Sequence, residues 1–392
     1  MLVSGVLMSW DDARTIVDRL EGTLDLAATV LPRGVEPGST YQGFCKAMRT
    51  RGAGVLAQAR RLLREQVLSR GSKWERRLGF VAFAADGSRI ICPRTLGNEA
   101  EFGYWGKESA NPQMNLTVLW HMGTGLSWDW RIAGSRTGER ALLLEMLPEL
   151  PPRALLVADA GFTGFELLST IQQSGRFFLV RVGAGVELLK ELGVYQREGP
   201  DTVYLWPAGQ HQRRPLVLRL IRVGQVYLIT NVLNRTRLTV AKAGALYRLR
   251  WGVEVGFRTL KQTLERRKVR GAAPAQARLE VEWAMLSLTL LGLLSVRGLK
   301  RRRTDPLRWS PAAALRVTRR WRRRPAGPLA ATDPGQLLRQ LGTCLRDNYQ
   351  RTSSKRARSW PHKKNPRPPG PPTLTRANTR LRNLAAARKA RP

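Results

Sequence analysis

The stretch YRLRWGVEVGFRTLKQTLERRKVRG, residues 247–271, has the periodicity of a helix with two distinct faces. At about 100° per residue, apolar side chains form one stripe along this helix. The apolar stripe holds Leu246, Leu249, Val253, Phe257, Leu260 and Leu264. A second, narrower stripe beside it holds Tyr247, Arg250, Glu254 and Lys261. The pattern predicts a helix that packs its apolar stripe on a sheet and holds Glu254, among cations, at the edge of the core.

Two further acids stand where predicted buried strands end. Asp86 ends the run FVAFAAD, and Asp159 ends the run RALLVAD, each before a turn of small residues. Ligand sites in open α/β sheets lie outside the carboxyl ends of strands, so both acids are candidate ligands. Structural alternatives remain, with Asp86 as a turn residue and Asp159 as the cap of a helix that begins near Thr163. Glu254 also has a structural alternative, as an i,i+4 partner of Arg250.

The order of the predicted elements favours an α/β fold with a mixed sheet covered on both faces, because short apolar strands alternate with helices. We expect this central domain over residues 73–297, interrupted by a β-rich insertion at 184–225. Residues 1–72 predict an N-terminal helical region whose arginine-rich face is a candidate DNA-binding surface. Residues 298–392 predict a basic tail, rich in Pro and Arg and largely disordered.

The net charge limits the classes of partner that the chain is expected to bind. A formal charge of +38 opposes compaction unless a polyanion neutralises it. Nucleic acid is the expected partner, because Lys and Arg release counterions from phosphates. A membrane surface is the alternative, but the longest apolar run, Met285–Val296, is shorter than the roughly 20 residues that a spanning helix needs. No basic segment precedes the apolar N-terminal residues, so we expect no signal peptide and a cytoplasmic protein.

The residue types that bind metals narrow the chemistry further. Cys45, Cys92 and Cys344 lie far apart, without the spacing of a disulfide framework or a zinc site. The three histidines are equally scattered, which argues against a histidine metal site or a Ser-His-Asp triad. Carboxylates without His or Cys suit Mg²⁺ or Mn²⁺. The three acids named above therefore form a candidate two-metal site for phosphoryl transfer.

The spacing Tyr247-x2-Arg250-x3-Glu254-x6-Lys261 resembles the Y-R-E-K signature of the IS-four family of bacterial insertion-sequence transposases of the DDE type. The segments AADGSRIICPRTLGN, VADAGFTG and YLITNVL are similar to the regions around the first Asp, the second Asp and the strand before the signature helix. The resemblance covers roughly residues 75–297. It implies an RNase H-like fold, with a mixed five-stranded sheet, helices on both sides and a β-rich insertion before the glutamate helix.

The resemblance also implies a catalytic triad of Asp86, Asp159 and Glu254 that holds two Mg²⁺ or Mn²⁺ ions. Members of the family act as dimers on paired transposon ends and cut and paste DNA, commonly through a hairpin intermediate. We therefore expect a DNA transposase, bound as a homodimer to terminal inverted repeats and to target DNA, and associated with the nucleoid. No membrane partner is expected.

Four side chains are candidate DNA ligands. Tyr247, Arg250 and Lys261 are expected to hold phosphates beside the metals. Hairpin-forming relatives stack a flipped base on a tryptophan, and Trp206 in the β-rich insertion is the candidate here, with packing under the insertion as the alternative. Two other functions remain open for the chain: an RNase H-fold metal-dependent nuclease without strand transfer, and a non-catalytic DNA-binding relative.

Overall fold

The computed structural model describes residues 2–30, 40–68, 73–105, 111–183, 193–194, 201–207, 210, 213–323, 334–346, 372 and 375–376. The chain divides into two compact units. The first unit holds Met1–Arg76, Asp86–Met146 and Gly252–Arg346, and the second unit holds Arg77–Ala85, Leu147–Trp251 and Asp347–Pro392.

Helices and strands alternate along the central part of the chain. The helices, in chain order, are α1 (Leu2–Trp10), α2 (Ile16–Val30), α3 (Tyr41–Val67), α4 (Leu96–Phe102), α5 (Glu139–Met146), α6 (Phe165–Gln173), α7 (Val240–Leu249), α8 (Gly252–Arg258), α9 (Pro274–Arg301), α10 (Pro311–Arg322) and α11 (Pro334–Leu341). The strands are β1 (Ala82–Ile91), β2 (Gln113–His121), β3 (Leu126–Gly134), β4 (Leu155–Ala158), β5 (Phe177–Val182), β6 (Gly193–Val194), β7 (Thr202–Leu205), β8 (Leu216–Val223), β9 (Val226–Thr230) and β10 (Thr375–Arg376). This alternation confirms the predicted mixed α/β class.

Helix α9 is the centre of the first unit. It contacts α1, α3, α10 and α11, and its buried positions run from Ala277 to Leu299. By length and composition α9 could cross a membrane, but 67% of its most apolar window is buried inside the protein. Helices that bury their apolar residues all round belong to the core of a large domain. The apolar run Met285–Val296 is therefore part of a buried core helix.

A buried carboxylate ties α3 to the hairpin of β2 and β3. Asp129 on β3 is fully buried, and its Oδ1 accepts a hydrogen bond from the backbone N–H of Trp130 at 2.9 Å. Its Oδ2 lies 3.0 Å from the guanidinium of Arg131 and 3.4 Å from that of Arg64 on α3. Buried charges persist only when they are paired in this way.

The sheet of the second unit combines parallel and antiparallel strands. Its strand order is β10-β6-β7-β8-β9-β5-β4-β1, of which β1, β4 and β5 are parallel, whereas β5, β9, β8 and β7 pair antiparallel. These eight strands, all among the described residues, exceed the five that we expected, so the predicted strand count is wrong. The additional strands arise because β6, β7 and β8, which lie in the predicted insertion at 184–225, continue the sheet through β9. Residues 184–192, 195–200, 208–209 and 211–212 of that insertion lie outside the described residues.

The structure agrees with the prediction for the N-terminal region and only in part with that for the C-terminal region. Residues 1–72 contain α1, α2 and α3, as expected for a helical region. The prediction of a largely disordered tail is wrong for 298–323, which holds the end of α9 together with α10, whereas the stretch PGQLLRQLGTCLRDNY, a candidate short helix by its sequence, contains α11. Ala314, Leu315 and Leu341 in these helices are buried, and their apolar faces pack in the first unit. Most of the remaining tail lies outside the described residues.

The single helix predicted over 247–271 is interrupted twice. Helix α7 ends at Leu249, α8 begins at Gly252, and a π-helical turn follows at Thr259–Thr263. Gly252 and Gly256 explain part of this, because a Cβ on them would lie 3.4 Å and 2.6 Å from the ring of Trp120 on β2. Glycine permits the close approach but weakens the helix. The apolar stripe itself is confirmed as buried at Leu246, Val253, Phe257, Leu260 and Leu264.

The close contact between Gly298 of α9 and Gly342, directly after α11, predicts a loss of stability when a side chain is added there. A Cβ on Gly298 of α9 would lie 2.5 Å from the Cα of Gly342, so a methyl group there would displace backbone. We expect Gly298→Ala to lower the free energy of unfolding by about 1–3 kcal/mol, as overpacking does elsewhere. Gly54→Ala on α3 meets nothing within 4 Å and is expected to raise it by about 0.5–1 kcal/mol. Urea unfolding followed by circular dichroism measures both, and equal effects would contradict the close approach of the two backbones.

Candidate active site

Asp159 occupies the position that the sequence predicts. It follows β4 directly and is half-buried. Its Oδ1 accepts the backbone N–H of Gly161 at 2.9 Å, so it also caps the 3-10 helix Ala160–Phe162. The strand-end position is therefore confirmed, and the capping alternative holds as well, three residues earlier than the predicted start at Thr163. One carboxylate oxygen remains for other ligands, since a carboxylate has about four acceptor sites.

Asp86 is not at the end of its strand, which corrects the sequence prediction. Strand β1 continues for five residues beyond it, to Ile91, and Asp86 is half-buried within the strand. Its Oδ1 accepts the backbone N–H of Gly87 at 2.9 Å. Strands β1 and β4 run parallel, and Ala85 and Ala158 are the last register partners between them. Asp86 and Asp159 are the next residues along these two strands.

Three predicted residues lie together in the second unit. Tyr247, in the last turn of α7, is affected by the charges of Arg250 and Asp159 and by Arg181 on β5, with which it shares a side-chain hydrogen bond. Burial raises the pKa of Tyr247, the carboxylate of Asp159 adds to that rise, and the two arginines oppose it. The guanidinium of Arg250 lies 5.5 Å from the centroid of the Tyr247 ring and is 8% exposed. The phenol therefore stays protonated at neutral pH and can donate a hydrogen bond.

Arg181 was missed by the sequence reasoning. It interrupts the apolar run FFLVRV of β5, and a cation in an otherwise buried strand is a signal that could have been used. The structure explains its place, because Arg181 and Tyr247 share a hydrogen bond beside the charge of Asp159.

Glu254 and Lys261 lie in the first unit. Glu254 is half-buried in the first turn of α8, where the helix dipole favours a negative charge. Lys261 lies in the π-helical turn, and burial, followed by repulsion from Arg267, lowers its pKa. A π turn is wider than an α turn, so Lys261 is not directly above Glu254 as a straight helix would place it. This corrects the predicted single stripe.

A second acid, Glu139, lies close to Asp86 in the first unit. A Cβ on Gly87 would collide with the carboxyl group of Glu139, at the start of α5. The side chain of Glu139 therefore covers the backbone of the residue that follows Asp86. Periodicity could not indicate this, because an acid in the first turn of a helix is an ordinary feature.

The donor set suits a hard cation, although no complete cluster is present. Asp86, Asp159 and Glu254 offer only carboxylate oxygens, which Mg²⁺ and Mn²⁺ prefer. Within the described ranges, no group of three or more His, Cys, Asp or Glu side chains is arranged to hold a metal ion. The three-carboxylate metal site stays a prediction.

Trp206, the candidate for base stacking, is buried. Its side chain is 1% exposed, and its ring centroid lies 5.9 Å from that of Tyr204 in a small cluster that also includes Val217. A base could stack on Trp206 only if this cluster opened. The structure thus agrees with the packing alternative for Trp206.

Comparisons with known proteins agree with the predicted family. The sequence profile of the family described as "Transposase DDE domain" matches residues 78–290. The chain is 25% identical over 228 residues to the transposase InsG for insertion sequence element IS4 of Escherichia coli strain K12. That alignment covers 54% of this chain and 52% of the relative, so the chain spans about half the length of the curated relative.

Among solved structures, the piggyBac transposase in a synaptic complex with hairpin DNA matches with 13% identity and a TM-score of 0.37, covering 70% of this chain and 59% of that chain. The profile match includes Asp86, Asp159 and Glu254 and extends over more than half of the 392 residues. The chain therefore belongs to the transposase DDE domain family.

Proposed function

We propose that this chain is a DNA transposase that cuts the ends of an insertion sequence and joins them to target DNA. The family match over residues 78–290 carries this proposal. The parallel register that ends at Ala85 and Ala158 supports it, because two of the three acids are the next residues on neighbouring strands. The substrates proposed are the terminal inverted repeats and target DNA, bound by a homodimer in the cytoplasm at the nucleoid.

The fold proposed for the catalytic region is RNase H-like. The parallel strands β1, β4 and β5, with β9 antiparallel to β5, support this proposal, because such a core is a mixed sheet. Strands β7, β8 and β9 extend the sheet and precede the glutamate helix in the sequence, as expected of the β-rich insertion in this family.

Asp86, Asp159 and Glu254 are the proposed catalytic carboxylates and would hold two Mg²⁺ or Mn²⁺ ions. Such ions, when bound, supply an activated nucleophile and stabilise the leaving oxygen of the phosphodiester. The chain itself orients the DNA. Tyr247 and Arg250, with Arg181, would hold phosphates beside Asp159 through a phenol and forked guanidinium groups. Lys261 would add a further positive charge.

Strand joining distinguishes this function from that of a nuclease on the same fold. The substrate is a labelled duplex that carries the inverted repeat flanking the gene, incubated with plasmid DNA and Mg²⁺. A transposase converts the label to plasmid-joined product, with a hairpin on the flanking or transposon end as the expected intermediate. Cutting without joining would support a nuclease, and binding without cutting would support a non-catalytic relative.

A basic groove in the first unit predicts part of the DNA affinity. Arg297 and Arg301 of α9, Arg302 directly after it and Arg339 of α11 line a cavity of about 400 Å³, and none of its described lining residues is acidic. We expect the pair of substitutions Arg301→Gln and Arg302→Gln to weaken DNA binding and to reduce the slope of log K against log salt by about 0.9 for each phosphate that is no longer neutralised. Fluorescence anisotropy across a salt series measures this.

Arg153→Gln is the control for loss of an arginine outside the groove, to be compared with Arg301→Gln alone as well as with the pair, since Arg153 is exposed in the second unit. It removes one positive charge without touching the groove and should leave the slope unchanged. The groove has no role in DNA binding if the two variants behave alike.

A further inference from the structure

The surroundings of strand β1 change at Asp86. Up to that point the strand pairs with β4, and Ala85 and Ala158 are the last register partners between them. The sequence DGS at residues 86–88 favours a turn, yet the strand continues to Ile91. Because strand formation depends on the surroundings more than on local preference, contacts with other segments must keep these residues extended.

Glu139 supplies such a contact at Gly87. Successive side chains of a strand point to opposite faces, so a side chain at residue 87 would point away from the face that carries Asp86. Gly87 has no side chain, and the carboxyl group of Glu139 fills the space that one would take, because a Cβ there would collide with it. Glu139 is half-buried in this position. It therefore lies against the backbone behind Asp86.

The helix that carries Glu139 is held in place within the same unit. Helix α5 packs on β2 and β3. Asn115 of β2 is buried, and its Nδ2 donates hydrogen bonds to the backbone oxygens of Ser135 at 3.3 Å and Thr137 at 2.8 Å, in the segment that leads into α5. The charge of Glu139 in the first turn also suits the helix dipole. The start of α5 therefore presents Glu139 to Gly87 at a fixed position.

We propose that Glu139 is a positioning residue for Asp86. Its carboxyl group holds residues 86 and 87 extended, and the Asp86 carboxylate is thereby directed to the opposite face of the strand. Loss of a group that orients a metal ligand typically lowers metal affinity or activity by about 10- to 100-fold. The shape of the Glu139 side chain, and not its charge, acts on Gly87. The role of Glu139 rests on the proposed function, in which Asp86 is a catalytic carboxylate.

Gly87→Ala tests the contact by adding a methyl group where the Glu139 carboxyl group lies. Single-turnover cleavage of end DNA should fall about a hundredfold, the scale of a misplaced catalytic group. Glu139→Ala removes the restraint without pushing on the strand and should lower cleavage about tenfold. The double variant makes room for the methyl group and should cleave at least about tenfold faster than Gly87→Ala, whereas independent sites would give a combined loss of about a thousandfold.

Three further variants separate shape, charge and general effects of substitution. Glu139→Gln keeps the volume of the side chain and should cleave within about threefold of the wild type. Gly138→Ala is the matched control for the methyl group, because a Cβ on Gly138, directly before α5, meets nothing within 4 Å. Glu145→Ala removes an exposed acid from the same helix. Both controls should cleave within about twofold of the wild type.

Binding of Mn²⁺ gives a readout that does not depend on cleavage. The full chain is titrated with Mn²⁺, and the free ion is measured by electron paramagnetic resonance. Asp86→Asn and Gly87→Ala should each weaken Mn²⁺ binding by at least about tenfold, and adding Glu139→Ala to Gly87→Ala should recover most of that loss. Circular dichroism and the affinity for end DNA should stay at the wild-type values, which separates misplacement of Asp86 from unfolding.

The positioning role is overturned by any of three results. The losses from Gly87→Ala and Glu139→Ala multiply in the double variant, Glu139→Gln loses as much as Glu139→Ala, or Gly87→Ala binds Mn²⁺ as the wild type does. Failure of the proposed function is a different result, in which the wild type does not join end DNA to plasmid. In that case Mn²⁺ binding by the same variants still decides whether Glu139 positions Asp86.

Discussion

Replacing Asp159 with Asn is expected to reduce the rate of strand cleavage on end DNA by at least about a thousandfold, the scale of losing an essential catalytic group. The substitution keeps the shape of the side chain and an oxygen that can accept the backbone N–H of Gly161. It removes the negative charge that the proposed site needs for a divalent cation. The rate is measured by gel electrophoresis of a labelled inverted-repeat duplex in Mg²⁺, under single-turnover conditions.

Asp305→Asn is the matched control for this experiment. Asp305 caps a 3-10 helix, Pro306–Arg308, by accepting the backbone N–H of Leu307 at 2.9 Å, as Asp159 does for its own 3-10 helix. It should keep cleavage within about twofold of the wild type, since an amide oxygen preserves such a cap. Asp86→Asn and Glu254→Gln should show the large loss. Full cleavage by Asp159→Asn would remove Asp159 from the catalytic set.

Asp129→Ala is expected to produce the largest loss of stability. It would leave the guanidinium groups of Arg64 and Arg131 without their buried counter-charge and the backbone N–H of Trp130 without its acceptor. Removal of one partner from a buried ion pair costs about 3–5 kcal/mol, and because these arginines retain some exposure to solvent we expect about 3 kcal/mol. Urea denaturation gives the free energy of unfolding.

Glu145→Ala tests whether burial is the cause. Glu145 pairs with the same Arg131 at 3.6 Å, but its side chain is 57% exposed. Exposed ion pairs contribute roughly 0–1 kcal/mol, so the loss should be less than about 1 kcal/mol. Asp129→Asn, which keeps an acceptor for Trp130 but not the charge, should fall between the two. Similar losses for Asp129→Ala and Glu145→Ala would show that the buried position of Asp129 adds nothing.

The sequence predicts the features that depend on local patterns. The apolar run before Asp159 is short and uniform, and it forms the expected buried strand. The apolar stripe around Val253 and Leu260 is buried because its spacing matches a helix over each short segment. Asp86 differs, because Gly87 and Ser88 resemble a turn while the strand in fact continues through them to Ile91. Pairing with neighbouring strands outweighs local propensity there.

Features that depend on distant segments could not be predicted. The close approach of Gly256 to Trp120 joins residues that are far apart in the chain, and it accompanies the break between α7 and α8. The same holds for Arg181 beside Tyr247 and for Glu139 against Gly87. Basic composition predicts disorder after residue 298, yet it carries no information on the faces that α10 and α11 bury.

The docking of α10 and α11 on α9 bears on how a shortened chain should be designed for crystallisation. A chain that ends at residue 297, where the composition changes, would lack α10 and α11. Core leucines of the first unit would then be exposed to solvent. Such a fragment would be prone to precipitate, because large newly exposed apolar patches drive association. A boundary after Arg346 keeps this packing and removes the arginine- and proline-rich end of the polypeptide, together with the two-residue strand β10.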